Sequence, residues 1–431
     1  MRNHSNNLLN SIEKRASFSL ALLFACRMFG LFLLLPVFTI AIYKLPGSDS
    51  PFLVGLAVGI YGLMQAIMQI PFGLASDYLG RRKTVAIGLL LFIIGSSICA
   101  LAENVLWLTI GRTIQGTGAI SSVITAWLSD VTRQEVRTRA MAIIGSAIGI
   151  SFVLSITFAP FIISWNGLPS LFWITSCFGV FGLIITFYVI PVIPNSQKKS
   201  VAIFNISTVF LNKSLLKINI GVFILHFILT LVFLVMPKLF IILINFTTGK
   251  LWKVYLPIIL LSFIFMIPII LLTEKYKIYS YTLRIMIASL ACMFGILPWT
   301  NQNLAATMLV MIGFFTIFNV LEALQPSLLS ILAPENFRGL ALGIYNTSQS
   351  IGLFLGGFVG GYLITYNESL LIFFKNKSIY LNQESIFYTL LLSINSLTII
   401  FNIAVFLSIF WLITIWTLKI PSKISDIQNS L

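Results

Sequence analysis

The chain has 431 residues, of which 58% are hydrophobic and 9% are charged, and its mean hydropathy is +1.01. A soluble protein carries about 25% charged residues, so the composition excludes an ordinary water-exposed globule. The formal net charge of +15 would indicate nucleic-acid binding in a soluble protein. Here we interpret it as basic residues sorted among loops to orient membrane segments, and we expect no nucleic-acid partner.

Apolar runs of about 20 residues, the length that crosses a hydrocarbon core, recur from end to end. They are continuous, as in residues 85–101 and 256–272, and they lack the alternation of barrel strands. The sequence therefore predicts an all-α integral membrane fold. Twelve transmembrane helices are predicted, near residues 17–42, 52–75, 84–102, 105–128, 139–163, 168–191, 216–241, 254–273, 283–299, 304–328, 339–364 and 387–416.

A polar stretch divides these spans six and six. It predicts an N-terminal six-helix bundle over residues 1–193, a cytoplasmic linker over 194–215 and a C-terminal six-helix bundle over 216–431. With the N-terminus in the cytoplasm, most Lys and Arg fall on inside segments, and only Lys44, Lys250, Lys253, Lys375 and Lys377 fall outside. The positive-inside rule then places both termini in the cytoplasm.

The loop after the second predicted span carries the most specific motif. It begins at Gly73 and reads Gly-Leu-Ala-Ser-Asp-Tyr-Leu-Gly-Arg-Arg-Lys. Gly73 and Gly80 permit a tight turn and close helix approach. Asp77 can pair with Arg81, four residues later. Arg81 and Arg82 alone would indicate only a basic anchor that sets topology.

This order of residues resembles the hallmark loop of the major facilitator superfamily. A second stretch, Gly-Arg-Thr-Ile-Gln-Gly-Thr-Gly from Gly111 to Gly118, resembles the arginine motif of proton-coupled members. A third, Leu-Glu-Ala-Leu-Gln-Pro-Ser from Leu321, is similar to the YajR-type, drug:proton antiporter subgroup. The resemblance implies two pseudo-symmetric six-helix bundles, secondary transport of a small molecule, and residence in a bacterial inner membrane.

The resemblance also implies a conformational latch on the cytoplasmic side, which would hold the two halves in one state until Arg81 changes partners. Its candidates are Gly73, Asp77, Gly80, Arg81, Arg82 and Asp130.

Two features depart from that subgroup. Only about fifteen residues follow the last predicted span, so we expect the subgroup's soluble C-terminal domain to be missing. The antiporter motif of the fifth span keeps Gly145, Gly149 and Pro160, but Ala159 precedes the proline and no glycine pair follows it. This departure favours an alternative: an uncoupled facilitator or metabolite importer in the same fold.

Charged side chains inside predicted spans are candidate functional residues, since such groups are costly in a bilayer and usually face the protein interior. In the N-terminal half these are Arg27 and Arg112, with Gln115 on the same helix face as Arg112. We interpret them as lining a substrate cavity, where Arg112 either binds an anion or modulates a nearby proton site. The alternative is structural: a buried arginine that hydrogen-bonds backbone carbonyls of a neighbouring helix.

In the C-terminal half, Glu322 is the acid placed deepest in a span, and it is a candidate proton-coupling group. Asn319 and Gln325, three residues to either side, are candidate cavity residues. His226 is a second proton candidate because imidazole titrates near neutral pH, although a lone histidine in an apolar helix is more often a packed neutral residue.

The sequence predicts a proton-coupled secondary transporter that exports a small molecule by alternating access. It has no Walker loop, metal cluster or catalytic set, so we expect no enzyme, no metal and no cofactor, with the proton gradient as the energy source and the lipid bilayer as surroundings. We expect a monomer. A non-transporting membrane sensor or scaffold that keeps the fold is the alternative of another class.

Overall fold

The computed structural model describes residues 9–133, 136–191, 212–244, 248–300, 303–334, 337–377 and 385–418. The predicted linker over 194–215 lies almost entirely outside these ranges, as do both chain ends. The described residues are helical throughout, with short turns between the helices. Contacts divide the chain into two compact units, which are described separately below.

The first unit contains eight helices: α1 (Ser11–Phe32), α2 (Phe38–Ile42), α3 (Pro51–Leu79), α4 (Arg81–Ala100), α5 (Val105–Thr117), α6 (Ser121–Val131), α7 (Arg137–Asn166) and α8 (Leu168–Ile184), which continues as a π-helical turn over Ile185–Val189. Within it, α1 packs on α7 and α8, α3 packs on α5, and α4 packs on α5 and α8. Residues 248–252 and 357–362 also group with this unit.

The second unit contains the remaining helices: α9 (Lys213–Ile244), α10 (Trp252–Tyr276), α11 (Tyr279–Thr300), α12 (Leu304–Leu332), α13 (Arg338–Lys377) and α14 (Ser385–Trp416). Here α11 packs on α12 and α14, and α9 packs on the same two helices. Trp411 of α14 is fully buried. Its indole occupies the space beside Gly221 of α9, where a Cβ atom would lie 2.6 Å from Nε1.

Local sequence signals set the helix ends. Asn10 caps α1 in a reciprocal capping box with Glu13, and Ser50 caps α3 ahead of Pro51. Asn104 and Asn303 likewise cap α5 and α12, where each side chain accepts a hydrogen bond from one backbone N–H of the first turn. These caps satisfy backbone N–H groups that would otherwise be unpaired at the start of a helix.

The turn between α3 and α4 is made by Gly80, whose φ of 89° lies in the region that favours glycine. The predicted motif loop is therefore a single-residue break, and most of it is helical. Asp77 lies in the last turn of α3, and Arg81 and Arg82 begin α4.

Two predicted spans are interrupted in the structure. The span predicted over 17–42 begins earlier, at Ser11, and ends at Phe32, before the short helix α2. Pro36 lies in the intervening turn and cannot donate the backbone hydrogen bond that a continuous helix needs. The span predicted over 105–128 is split into α5 and α6, and Gly118 at the break packs closely against the backbone carbonyl of Gly88 on α4.

Ten of the described helical segments are long and apolar enough to cross a membrane by length and composition. The split pair α5 and α6 covers one further crossing, and α13, with 40 residues, is long enough for another. The protein is thus an all-helical membrane protein with ten to twelve membrane helices.

Candidate functional site

Residues of the motif that begins at Gly73 form a charge cluster in the first unit. Arg81 Nη1 lies 2.7 Å from Asp77 Oδ1, and Arg81 Nε lies 2.8 Å from Asp130 Oδ2. The same guanidinium donates to Ser76 Oγ, and Arg82 donates to the backbone carbonyl of Ile190 at 2.8 Å. One arginine at the start of α4 thereby joins the ends of α3 and α6. The predicted Asp77–Arg81 pair and the inclusion of Asp130 both match this geometry.

Gly73 lies one turn before this cluster. A Cβ atom added there would lie 3.9 Å from Ser122 Oγ of α6. The side chains of Asp77 and Asp130 are 47% and 37% exposed. Ion pairs at this exposure contribute little stability, about 0–1 kcal/mol. The cluster is therefore suited to exchanging partners and is unsuited to holding the fold together.

A second ion pair at this end of the unit was not anticipated from the sequence. Glu13, in the first turn of α1, is almost fully buried and accepts hydrogen bonds from the backbone N, Nε and Nη2 of Arg133 at 2.8–3.0 Å. Arg133 follows α6. The only signal was the Asn10–Glu13 capping-box spacing, which predicts a helix start and gives no indication of the distant arginine.

Arg27 and Arg112 are both buried inside the first unit and share one neighbour. Arg27 Nη1 donates to Ser121 Oγ at 2.5 Å, and Nη2 donates to Tyr61 Oη at 3.2 Å. The guanidinium carbon of Arg112 lies 4.7 Å from the centre of the Tyr61 ring and 5.5 Å from that of Phe38. Cation–π contacts of this kind favour the charged form of arginine in an apolar setting.

Gln115 holds Arg112 from the same helix, accepting a hydrogen bond from Nη1 at 2.8 Å while its amide donates to Ser96 Oγ at 2.9 Å. The partners described for Arg112 are thus a side-chain amide and two aromatic rings. The structural alternative predicted that backbone carbonyls of a neighbouring helix would be its partners. Gln115 was expected on this face; Tyr61, Ser121 and Phe38 were not, because only the tertiary fold brings their helices to the arginines.

Glu322 and His226 are brought together in the second unit. Oε2 of Glu322 on α12 lies 3.6 Å from Nε2 of His226 on α9. Gln349 on α13 places its amide nitrogen 2.6 Å from the same imidazole nitrogen and 3.5 Å from Glu322 Oε1. The sequence offered Glu322 and His226 as separate proton candidates, and the structure makes them one cluster. Gln349 was missed because no motif marks it.

Asn319 and Gln325 do not join that cluster. Asn319 donates to Ser262 Oγ of α10 at 3.1 Å. Gln325 is buried, and neither of its amide atoms has a hydrogen-bond partner among the described residues. Three residues turn an α-helix through about 300°, so positions three apart are offset by about 60°. The three side chains therefore point toward different neighbours.

Charged side chains within membrane-spanning helices are typical of transporters, in which such groups mark a substrate or ion path. The first unit buries Arg27 and Arg112, and the second unit holds Glu322 on α12. The comparisons identify the group. The profile of the "Major Facilitator Superfamily" matches residues 20–357, and the chain belongs to that family. It is accordingly a secondary transporter and not an enzyme.

Relatives match along most of the chain. It is 37% identical to "Inner membrane transport protein YajR" of Escherichia coli (strain K12) over 358 residues, which cover 81% of this chain and 78% of that protein. It is also 37% identical to "Uncharacterized transporter BU466" of Buchnera aphidicola subsp. Acyrthosiphon pisum (strain APS) over 354 residues. These cover 81% of this chain and 90% of that protein.

Solved structures share the fold at low identity. A bacterial homolog of the human lysosomal transporter Spinster superposes with a TM-score of 0.72 at 13% identity, covering 95% of this chain and 98% of that one. The predicted twelve-helix superfamily fold is confirmed at the level of ten to twelve membrane helices.

Proposed function

We propose that this chain is a proton-coupled transporter that exports a small molecule by alternating access, and that Glu322 and His226 act as one proton site. The observation that carries the proposal is the contact of both side chains with one another and with Gln349. A carboxyl and an imidazole in contact, on two different membrane helices, can exchange a proton and change the attraction between those helices.

Hydrogen bonding defines the resting form of the imidazole. His226 Nδ1 lies 3.1 Å from the carbonyl oxygen of Val222. A carbonyl only accepts, so Nδ1 carries the proton of the neutral ring. Nε2 then has a free lone pair and accepts from the Gln349 amide. This tautomer leaves Nε2 as the atom that receives an incoming proton.

Proton uptake at Nε2 would exchange the partners of the ring. Both nitrogens of the imidazolium are donors, so the Gln349 amide group can no longer donate to Nε2. The carboxylate of Glu322, 3.6 Å away, becomes the favoured acceptor and gains an opposite charge. Protonation thus weakens a contact between α9 and α13 and strengthens one between α9 and α12.

The two groups differ in access. The Glu322 side chain is 37% exposed, whereas that of His226 is 5% exposed and its ring packs edge-on against Phe318. We propose that a proton reaches Glu322 first and passes inward to His226. Tyr345 is a further titratable side chain on α13. It is buried one turn before Gln349.

Charge displacement tests the proposal without knowing the substrate. Purified protein in liposomes, adsorbed on a solid-supported membrane, receives a pH step while the transient current is recorded. We expect a current in the wild type, its loss in Glu322→Gln, and a smaller current with a shifted pH midpoint in His226→Gln. Glu274→Gln is the matched control, because this exposed carboxyl at the end of α10 lies outside the cluster.

A wild-type current retained by Glu322→Gln would refute the proton site. The absence of any current in the wild type, together with counterflow of substrate without a pH gradient, would instead establish the uncoupled facilitator. The proposed direction is export, which the similarity of the stretch beginning at Leu321 to the YajR-type, drug:proton antiporter subgroup supports. Acidification of inside-out vesicles, reversed by substrate, tests that direction.

We further propose that the Arg81 cluster is a conformational latch. Its support is the simultaneous contact of Arg81 with Asp77 and Asp130, which lets one partner be released while the other is kept. Turnover of reconstituted Arg81→Gln and Asp130→Asn tests this, since a latch predicts slower transport by both variants while the protein stays folded, and wild-type turnover in both would refute it.

The proposed arrangement is monomeric, in a bacterial inner membrane, with bundles over 1–193 and 216–431, a linker over 194–215, and the linker and both termini in the cytoplasm. The loop distribution of Lys and Arg supports this orientation. Fusions of green fluorescent protein and alkaline phosphatase after residue 200 and at the C-terminus test it: the first should fluoresce and the second should be inactive at both positions.

A further inference from the structure

Two positive charges inside the first unit have no opposite charge beside them among the residues that the structure describes. Arg27 and Arg112 are 1% and 5% exposed, and the Nε atom of each has no hydrogen-bond partner among the described residues. Every described acid before residue 202 lies at a helix end or between helices, and these are Glu13, Asp49, Asp77, Glu103 and Asp130; Glu135 is outside the described ranges. A buried cation is ordinarily paired or shifted to its neutral form, and arginine stays charged.

A third positive feature meets Arg27. Its guanidinium bonds to Ser121, the first residue of α6. That helix start has no side-chain cap and no acidic residue in its first turn. Its free N–H groups and the helix dipole present partial positive charge. A guanidinium placed against this end is repelled, and an anion between the two would remove the repulsion.

Neutral polar side chains of α3 lie beside this helix start and beside the arginines. Gln69 on α3 is 2% exposed, and neither atom of its side-chain amide has a partner in the part of the chain that the structure describes. Its backbone carbonyl accepts from Ser122, the second residue of α6, so Gln69 lies beside the same helix start. Tyr61 lies on the same face of α3, two turns away, and contacts both arginines.

We propose that these groups form an anion site: the transported substrate is a small organic anion whose carboxylate or phosphate binds between Arg27, Arg112 and the start of α6. Planar guanidinium groups bind such oxyanions with two hydrogen bonds, and the α6 N–H groups would supply the rest. The assignment to a transported substrate rests on the transport function proposed above, whereas the anion site itself does not require proton coupling.

Thermal unfolding of the purified protein tests the site. The protein is reconstituted in nanodiscs of phosphatidylcholine alone, and the unfolding temperature is followed by intrinsic fluorescence at constant pH and ionic strength. The probes are inorganic phosphate, sulfate and succinate, with succinamide as the neutral analogue. We expect a saturable rise with the anions and none with succinamide. Arg112→Gln and Arg27→Gln should each weaken the apparent affinity at least about tenfold.

Variants without ligand separate binding from packing. If the arginines are an uncompensated binding site, Arg112→Gln unfolds at or above the wild-type temperature in the absence of anion, because a buried charge has been removed. If they serve only to pack α1, α3 and α5, the same variants unfold earlier and keep the anion-induced rise, which would overturn the proposal. Arg112→Lys, which keeps the charge, should retain part of the rise and guards against misfolding of the glutamine variants.

Three further comparisons complete the test. Arg284→Gln is the matched control, since that arginine stacks on Trp416 in the second unit and should leave the rise unchanged. A rise produced by adding phosphatidylglycerol to the nanodiscs, with no further effect of soluble anions, would identify a lipid headgroup and overturn the assignment to a substrate. Glu322→Gln should keep the anion-induced rise while losing the proton current, so each proposal can fail alone.

Discussion

The Glu13–Arg133 pair gives the sharpest prediction for stability. Glu13 is 3% exposed and its carboxylate accepts three hydrogen bonds from Arg133 and one from the backbone of Asn10. Through it, the first turn of α1 is fixed to the segment that follows α6. The substitution Glu13→Gln keeps the shape of the side chain and removes its charge. It also places the amide NH2 group, a donor, against the N–H donors of Arg133.

The expected loss follows from those contacts. Hydrogen bonds to a charged group contribute about 1.5–3 kcal/mol. The helix cap itself is kept, because Asn10 still accepts from the backbone N–H of residue 13 and glutamine can complete the capping box. The Arg133 side chain is 42% exposed, so solvent weakens its share, which places the loss for Glu13→Gln at about 1.5–3 kcal/mol.

The assay is unfolding of the purified protein by sodium dodecyl sulfate in mixed micelles, followed by fluorescence, for Glu13→Gln, Arg133→Gln and the double variant. We expect a coupling free energy between the two positions of about 1–2 kcal/mol. Glu103→Gln is the control, because this exposed acid before α5 makes no described ion pair. A loss for Glu13→Gln no larger than that for Glu103→Gln would refute the reasoning.

Four other substitutions test the packing and the charge cluster. Gly352→Ala should destabilise by about 1–3 kcal/mol, since a Cβ there meets a backbone carbonyl of α9; Gly145→Ala, with nothing near its Cβ, should be neutral or gain about 0.5–1 kcal/mol. Trp411→Ala should cost about 3–5 kcal/mol because its side chain is fully buried. Asp130→Asn should change stability by no more than about 1 kcal/mol yet slow transport, since Arg81 loses one partner. Detergent unfolding checks the glycine and tryptophan substitutions and the stability of Asp130→Asn, and transport by reconstituted protein checks the slower turnover of Asp130→Asn.

The sequence determined the membrane class, nearly all the helices and the position of the motif loop. In lipid each helix must satisfy its backbone hydrogen bonds within itself. A membrane span can therefore be recognised from a local run of apolar residues in the sequence. The Asp77–Arg81 pair was predictable for the same reason, because four residues along a helix fix the distance between the two side chains.

Helix interruptions were less accessible to sequence reading. The break between α5 and α6 depends on Gly118 packing against a carbonyl of α4, a contact between helices that no local pattern records. That break makes Ser121 a helix start beside Arg27. The anion site proposed for the first unit therefore could not have been drawn from the arginines alone.

Partners of the buried charges were decided by the tertiary structure. The sequence offered Glu322 with Asn319 and Gln325 as neighbours along one helix. The structure instead directs Glu322 to His226, 96 positions away along the sequence. Which side chain faces which depends on the rotation of each helix about its axis, and that is set by how the helices pack together. The sequence alone supplied the charged groups of this protein, and only the packing of its helices decided which of them lie in contact and which have no counter-ion among the described residues.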